Sequence, residues 1–342
     1  MHEVNADRTL SELHQPTGGD FGGTKVDNEF VNLLVKIFGA PLYQKFKRNH
    51  IEKYISLMQE FETKKRTFDG SRRMALQFPI ELGEMYLEDV DQTFQSALHE
   101  TPFEGKVQCI ADKFIIVEEL AKTFFDDTIE QIVITADNLL KKVPNMNSII
   151  LVGGFSESPY LKSVMRRRFG DMITIPLEPS QAVLNGAVVY GHRPLAIAER
   201  VCKYTYGIGR MMKFKPHHPA HRKVKIDGLD YCDGIFNKHI EVGTKIRVAE
   251  DAEKAVVHKY FPTTTAMKQA VLDVYASPFK DPMFVDDHGC QLVGLIKLDI
   301  DSHGDIYSEL LVKMMFGGTE LQVQVTDVKN NKITNASFGF LG

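Results

Sequence analysis

Residues 149–160 read IILVGGFSESPY. Four apolar residues in a row, Ile149 to Val152, predict a strand covered on both faces, because a strand with one wet face alternates instead. Gly153-Gly154 breaks that strand. Ser158-Pro159 predicts the start of a helix, with serine as the N-cap and proline in the first turn. A glycine pair between a buried strand and a new helix lets the backbone approach a ligand, and the helix offers unpaired N–H groups. Several nucleotide folds seat an adenosine or a phosphate this way. A plain tight turn between strand and helix has the same form.

The surroundings repeat the strand–turn–helix order. Downstream, Ile173–Ile175 reads as a short strand, and Ser180 can cap a helix over Gln181–Tyr190 whose Gly186-Ala187 step suits close core packing. Upstream, Leu10–Leu13 reads as a strand leading into Thr17–Thr24, TGGDFGGT. Its glycines can form a backbone nest for an anion or simply a flexible turn. Phe30, Leu33, Leu34 and Ile37 then recur at helical spacing, and Gly39 with Pro41 stops that helix. A second helix over residues 51–65 presents Ile51, Tyr54, Ile55, Met58 and Phe61 on one face and ends in Lys64-Lys65-Arg66, with Glu62 just before. A cationic helix tip can hold a ribose or a phosphate, or it can be a solvated end that complements the helix dipole. A third helix over residues 118–142 stops at Pro144. This alternation predicts a layered α/β domain.

Near residue 200 the texture changes to strands and turns. Leu321, Val323 and Val325 alternate with Glu320, Gln322 and Gln324, and residues 270–276, 292–300 and 306–315 also read as strands. Residues 316–319 and Asn330-Asn331 read as turns. The expected division is therefore an α/β domain over 1–197 and a β-sandwich over 198–342.

Composition narrows the class. A chain of 342 residues is long enough for about two domains, and 43% hydrophobic with 25% charged residues excludes a disordered chain. A net charge of −4 gives no overall attraction to nucleic acid. No apolar run reaches the ~20 residues of a membrane span, and the first residues lack a secretory pattern. Four scattered cysteines without a CxxC pair fit free thiols in a reducing cytoplasm. His217, His218 and His221 lie among lysines and an arginine, which predicts an exposed loop.

Taken in order, the glycine-rich turn, Glu62-x-x-Lys65-Arg66, LVGGFSESP and SQAVLNGAVVYG (180–191) resemble the 70-kDa heat-shock protein family, in a divergent branch of it. The later segments AVLDVYAS (270–277), QLVGLIKLDI (291–300) and GGTELQVQVTDVKNNK (317–332) resemble its substrate-binding β-sandwich. The resemblance covers essentially the whole chain. It implies the second lobe of an actin-like (ribonuclease H-like) ATPase fold followed by that sandwich. It places Glu62, Lys65 and Arg66 on the adenosine-side helix and Gly153 and Gly154 under the ribose and phosphates. Three positions depart from the main branch: Phe155 replaces a small hydroxyl residue, Glu157 an arginine and Ser180 an aspartate. Loss of the stacking arginine should reshape the adenine clamp.

The family's phosphate loops and catalytic carboxylates have no counterpart among these residues. The resemblance thus implies a partial ATP/ADP site without independent turnover, and Mg²⁺ held only if the first lobe is supplied. It also implies extended or unfolded peptide clients, room for co-chaperones, a chaperone role in the stress response, and self-association through an uncovered half-cleft. An adaptor that binds peptides through the sandwich without using nucleotide is the alternative. A sugar-kinase relative would share the actin-like fold but not the β-rich tail.

Overall fold

The computed structural model describes residues 1–110, 112–248, 257–262, 264, 267–300, 308–316 and 320–339. It is a mixed α/β protein with several sheets, in two compact units: residues 18–189, and residues 1–17 together with 190–342.

Two short antiparallel strands open the chain, β1 (His2–Val4) and β2 (Leu10–Glu12). They belong to the unit completed by residues 190–342 and are taken up again below.

In the unit 18–189, α1 (Gly23–Phe38) turns at Gly39 (φ +80°) into α2 (Ala40–Asn49), so the glycine ends one helix and Pro41 sits in the first turn of the next. The third helix, α3 (Ile51–Thr67), buries Leu57, Phe61 and Lys65, one residue per turn. The face expected from the sequence is rotated: Ile51 and Ile55 are exposed. Next come β3 (Met74–Gln77), α4 (Ile80–Val90), α5 (Phe94–Leu98), β4 (Val107–Ile110) and β5 (Lys113–Ile116), the strands forming an antiparallel sheet ordered β3-β5-β4. The long α6 (Glu118–Lys142) buries Ala121, Phe124, Phe125, Thr128 and Ile129 in its first half only.

β6 (Ile149–Ile150) is shorter than expected and pairs in parallel with β7 (Ile173–Thr174) across α7 (Pro159–Phe169). Leu151 is buried, but Ile150 is 60% and Val152 47% exposed, so one face of this strand is covered rather than two. The last helix, α8 (Ala182–His192), has no buried residue: Val183, Leu184, Val188 and Val189 are exposed, against the expectation of core packing. Its first turn is closed by the Glu178 carbonyl, which accepts from Gln181 and Ala182, while Ser180 is exposed. The core of this unit is aromatic. Phe30 stacks on Phe61 at 4.0 Å between centroids, and Phe38, Phe78, Phe94 and Phe114 form a second group.

In the other unit, β8 (Ile197–Val201) pairs in parallel with β2. The strands that follow are β9 (Thr205–Lys213), β10 (Lys223–Ile226), β11 (Leu229–Ile240), β12 (Lys245–Arg247), β13 (Val257–Tyr260), β14 (Gln269–Ser277), β15 (Gln291–Asp299), β16 (Leu310–Met315), β17 (Glu320–Asp327) and β18 (Lys332–Gly339). One sheet runs β1-β2-β8-β12; an antiparallel five-stranded sheet runs β10-β11-β9-β14-β15; an antiparallel four-stranded sheet runs β13-β16-β17-β18. Tyr206, Ile208, Val274 and Leu298 from the five-stranded sheet share one core with Val312, Leu321, Val323 and Val325 from the four-stranded sheet. The alternation read in residues 320–325 is the pleat of β17. Ile306 of the expected strand 306–315, and the expected turn at 317–319, lie outside the described residues. The turn at Asn330-Asn331 forms, with the buried Asp327 carboxylate accepting from the N–H groups of Lys329 and Asn330.

Candidate functional site

The C-terminal turn of α3 and the first turn of α1 meet the glycine loop after β6 around a cavity of about 260 Å³. From α3 come Glu62, Lys65 and Arg66; from α1 come Gly23, Thr24 and Asp27; from the loop and the start of α7 come Gly154, Phe155 and Ser158.

Lys65 is the anchor. Its side chain is 8% exposed, and Nζ donates to Asp27 Oδ1 at 2.6 Å and to the Gly23 carbonyl at 3.4 Å while also pairing with Glu62. Such a buried ammonium is tolerated because several acceptors replace its water. Glu62 takes a second hydrogen bond, from Arg66 Nε at 2.7 Å. Burial presses the Glu62 carboxyl upward, but the hydrogen bonds from Lys65 and Arg66 outweigh it and hold its pKa below the ordinary value. Arg66 is held above its ordinary value chiefly by Glu62, with the charge of Glu157 adding at longer range.

The loop is held by its own backbone. Gly153 has φ +88° and ψ +167°, and its N–H donates to the Pro179 carbonyl at 2.8 Å. Its carbonyl accepts from Ser156 Oγ at 2.6 Å. Ser158 Oγ accepts from the Leu161 N–H, capping α7 as the sequence predicts. A Cβ added at Gly154 would meet no heavy atom within 4 Å; at Gly23 it would come within 3.3 Å of Lys65 Nζ.

Of the residues singled out from sequence, Glu62, Lys65, Arg66, Gly154 and Phe155 line one cavity. Gly153 shapes its loop. Glu157 lies beside it, acting on Arg66 by charge. Ser180 is outside the wall, one residue past the carbonyl that anchors Gly153. Gly23 and Thr24 come from the glycine-rich turn already noted as a candidate nest. Asp27 had no local signal, because its partner Lys65 lies 38 positions away.

Two carboxylates and two cations largely cancel inside the cavity. A bare phosphate would have to displace these ion pairs, whereas a neutral group with hydroxyls and a flat ring would not. Carboxylates suit the hydroxyls of a ribose, and the volume suits a nucleoside-sized moiety. The residues present therefore fit the adenosine part of a nucleotide.

No known protein-family model matches the chain. Curated relatives do. Heat shock 70 kDa protein 12A of Mus musculus is 27% identical over 343 residues, covering 97% of the chain and 50% of that protein. The same figures hold for heat shock 70 kDa protein 12A of Homo sapiens, and heat shock 70 kDa protein 12B of Homo sapiens is 27% identical over 350 residues. The chain spans about half the length of these relatives. This similarity runs through 97% of the chain, and what the chain is similar to is the heat shock 70 kDa protein 12 branch of the 70-kDa heat-shock proteins.

Proposed function

We propose that the chain is a chaperone-like, ATP/ADP-binding relative of the 70-kDa heat-shock proteins, with the adenosine moiety seated in the cavity between α1, α3 and the Gly153-Gly154 loop. In this reading residues 18–189 correspond to part of an actin-like ATPase lobe, and the two sheets that share a core after residue 204 correspond to a peptide-binding β-sandwich. The observation that carries it is the convergence of Glu62, Lys65 and Arg66 with Gly154 on one cavity, across some 90 residues of intervening chain. Glu62 would accept from the ribose hydroxyls, Lys65 would keep Glu62 ionised and in place, and Gly154 would let the loop backbone lie against the sugar.

Hydrolysis by this chain alone is not expected. Phosphoryl transfer needs cations free to neutralise the transferring phosphate, and both cations here are engaged by carboxylates. In an assay of the purified chain with radiolabelled ATP and Mg²⁺, nucleotide should be retained on the protein without phosphate release above buffer. Sustained turnover would overturn the non-hydrolytic part, and absence of retained nucleotide would overturn the binding part.

One observation favours the adaptor reading. Val271 on β14 and Leu292 and Leu295 on β15 are each about half exposed, which places apolar side chains on the outer surface of the sheet. Capture of an extended apolar peptide with equal affinity in the presence and absence of ADP would support that role.

A further inference from the structure

The cavity has one apolar lining side chain, Phe155, and its ring belongs to an aromatic cluster. Phe68, at the C-cap of α3, lies on Phe125 of α6 with centroids 5.1 Å apart and planes 22° apart. Phe125 in turn lies on Phe155 at 6.5 Å and 15°. Tyr160 packs edge-on against both Phe68 and Phe125, at 5.7 Å from each. Phe68 and Phe125 are buried; Phe155 is half-buried and lines the cavity. Every other lining side chain is a glycine, a hydroxyl or a charged group.

A partly buried phenylalanine at a polar cavity leaves some of an apolar ring facing water, and the cheapest way to cover it is with another flat ring in an offset stack. The charged residues are gathered on the α1 and α3 side, where hydroxyls can be met. Backed by Phe125, the Phe155 ring is held before any ligand arrives, so little ordering entropy is lost on stacking.

Resting on the nucleotide reading above, we propose that Phe155 is the base-stacking residue of this site: the nucleobase extends the Phe68–Phe125–Phe155 column while the ribose is held by Glu62. Affinity is then set by the aromatic face of the ligand as well as by its sugar, and a sugar phosphate without a base gains nothing from Phe155.

The test is calorimetric titration of the full chain with ADP and with ribose 5-phosphate, for wild type, Phe155→Leu and Phe155→Tyr. Ligand NMR on the wild type would report ring-current shifts of the adenine protons. The expected result is a loss of ADP affinity of about tenfold in Phe155→Leu, within the range for removing one base–aromatic stack. Phe155→Tyr should stay within about threefold. Ribose 5-phosphate binding should be the same in all three, and the adenine H2 and H8 signals should move upfield. ADP affinity that is unchanged or tighter in Phe155→Leu, or adenine signals that do not shift in bound ADP, would overturn the stacking role and leave the nucleotide site standing. Failure of wild type to bind ADP at all would remove both. If Phe155→Leu does not fold, the wild-type NMR shifts and the tyrosine variant still decide.

Discussion

Gly153 bears a strict backbone demand in the loop that shapes the cavity. Its φ of +88° with ψ +167° lies where only glycine sits without strain. Gly153→Ala should lower the unfolding free energy by about 1–3 kcal/mol, read by denaturant titration. Gly154→Ala, whose Cβ enters open space, should cost no more than about 0.5 kcal/mol and act on ligand binding alone. A second residue with a sharp signature is His239. It is buried, stacked on His258 with centroids 3.9 Å apart, and its Nε2 is hydrogen-bonded with the Tyr260 hydroxyl at 2.9 Å. Burial, then the neighbouring His258 and Arg210, lower its pKa to about 3. The unfolded chain, with histidine near 6.5, binds the proton that the folded state refuses, so stability is full above pH 6.5 and falls as the pH drops from there towards 3. Between pH 6.5 and 5 this amounts to about 2 kcal/mol. Urea unfolding of His239→Gln should show that much less pH dependence over the same interval; an identical profile would remove His239 as the cause.

The elements show which parts of the fold were legible. Helix α7 was readable because its cap is local: Ser158 and Pro159 are adjacent to the turn they close. Ser158→Ala should cost about 1 kcal/mol, seen as a shift in the denaturation midpoint at unchanged slope. The strands β14, β15 and β17 were readable because a pleat buries every second residue. What failed were inferences about which face is covered. The apolar run at Ile149–Val152 and the apolar helix α8 imply burial on all sides, yet Ile150, Val152, Val183 and Leu184 are exposed; composition sets what a residue prefers, and neighbours decide whether it is met. In α3 the buried row runs through Lys65 because a buried ion pair with Asp27 substitutes for an apolar contact, which no hydrophobic period can announce. The residues of the α3 tip and the glycine loop carry their own local signal, while Asp27 acquires a role only through a partner on another helix.

At the scale of the whole molecule, the change of texture near residue 200 was visible, but the place of residues 1–17 was not, since strands of three residues carry little pattern. They join the unit of residues 190–342: Leu10 pairs with Ile197, and Glu12 accepts from the Val201 N–H at 2.8 Å. Glu12→Ala should therefore speed hydrogen exchange of the β8 amides while leaving those of α1 and α6 at wild-type rates. Uniform loss of protection in both units would contradict that division. Whether the cavity inside residues 18–189 holds an adenosine moiety, as proposed, is decided by calorimetric titration of ADP into the full chain beside Gly154→Val. The expected result is a saturable single-site heat for the wild type and at least tenfold weaker binding for the variant, at unchanged folding. No heat with the wild type, or equal binding by the variant with a bulkier residue at this lining position, would contradict it.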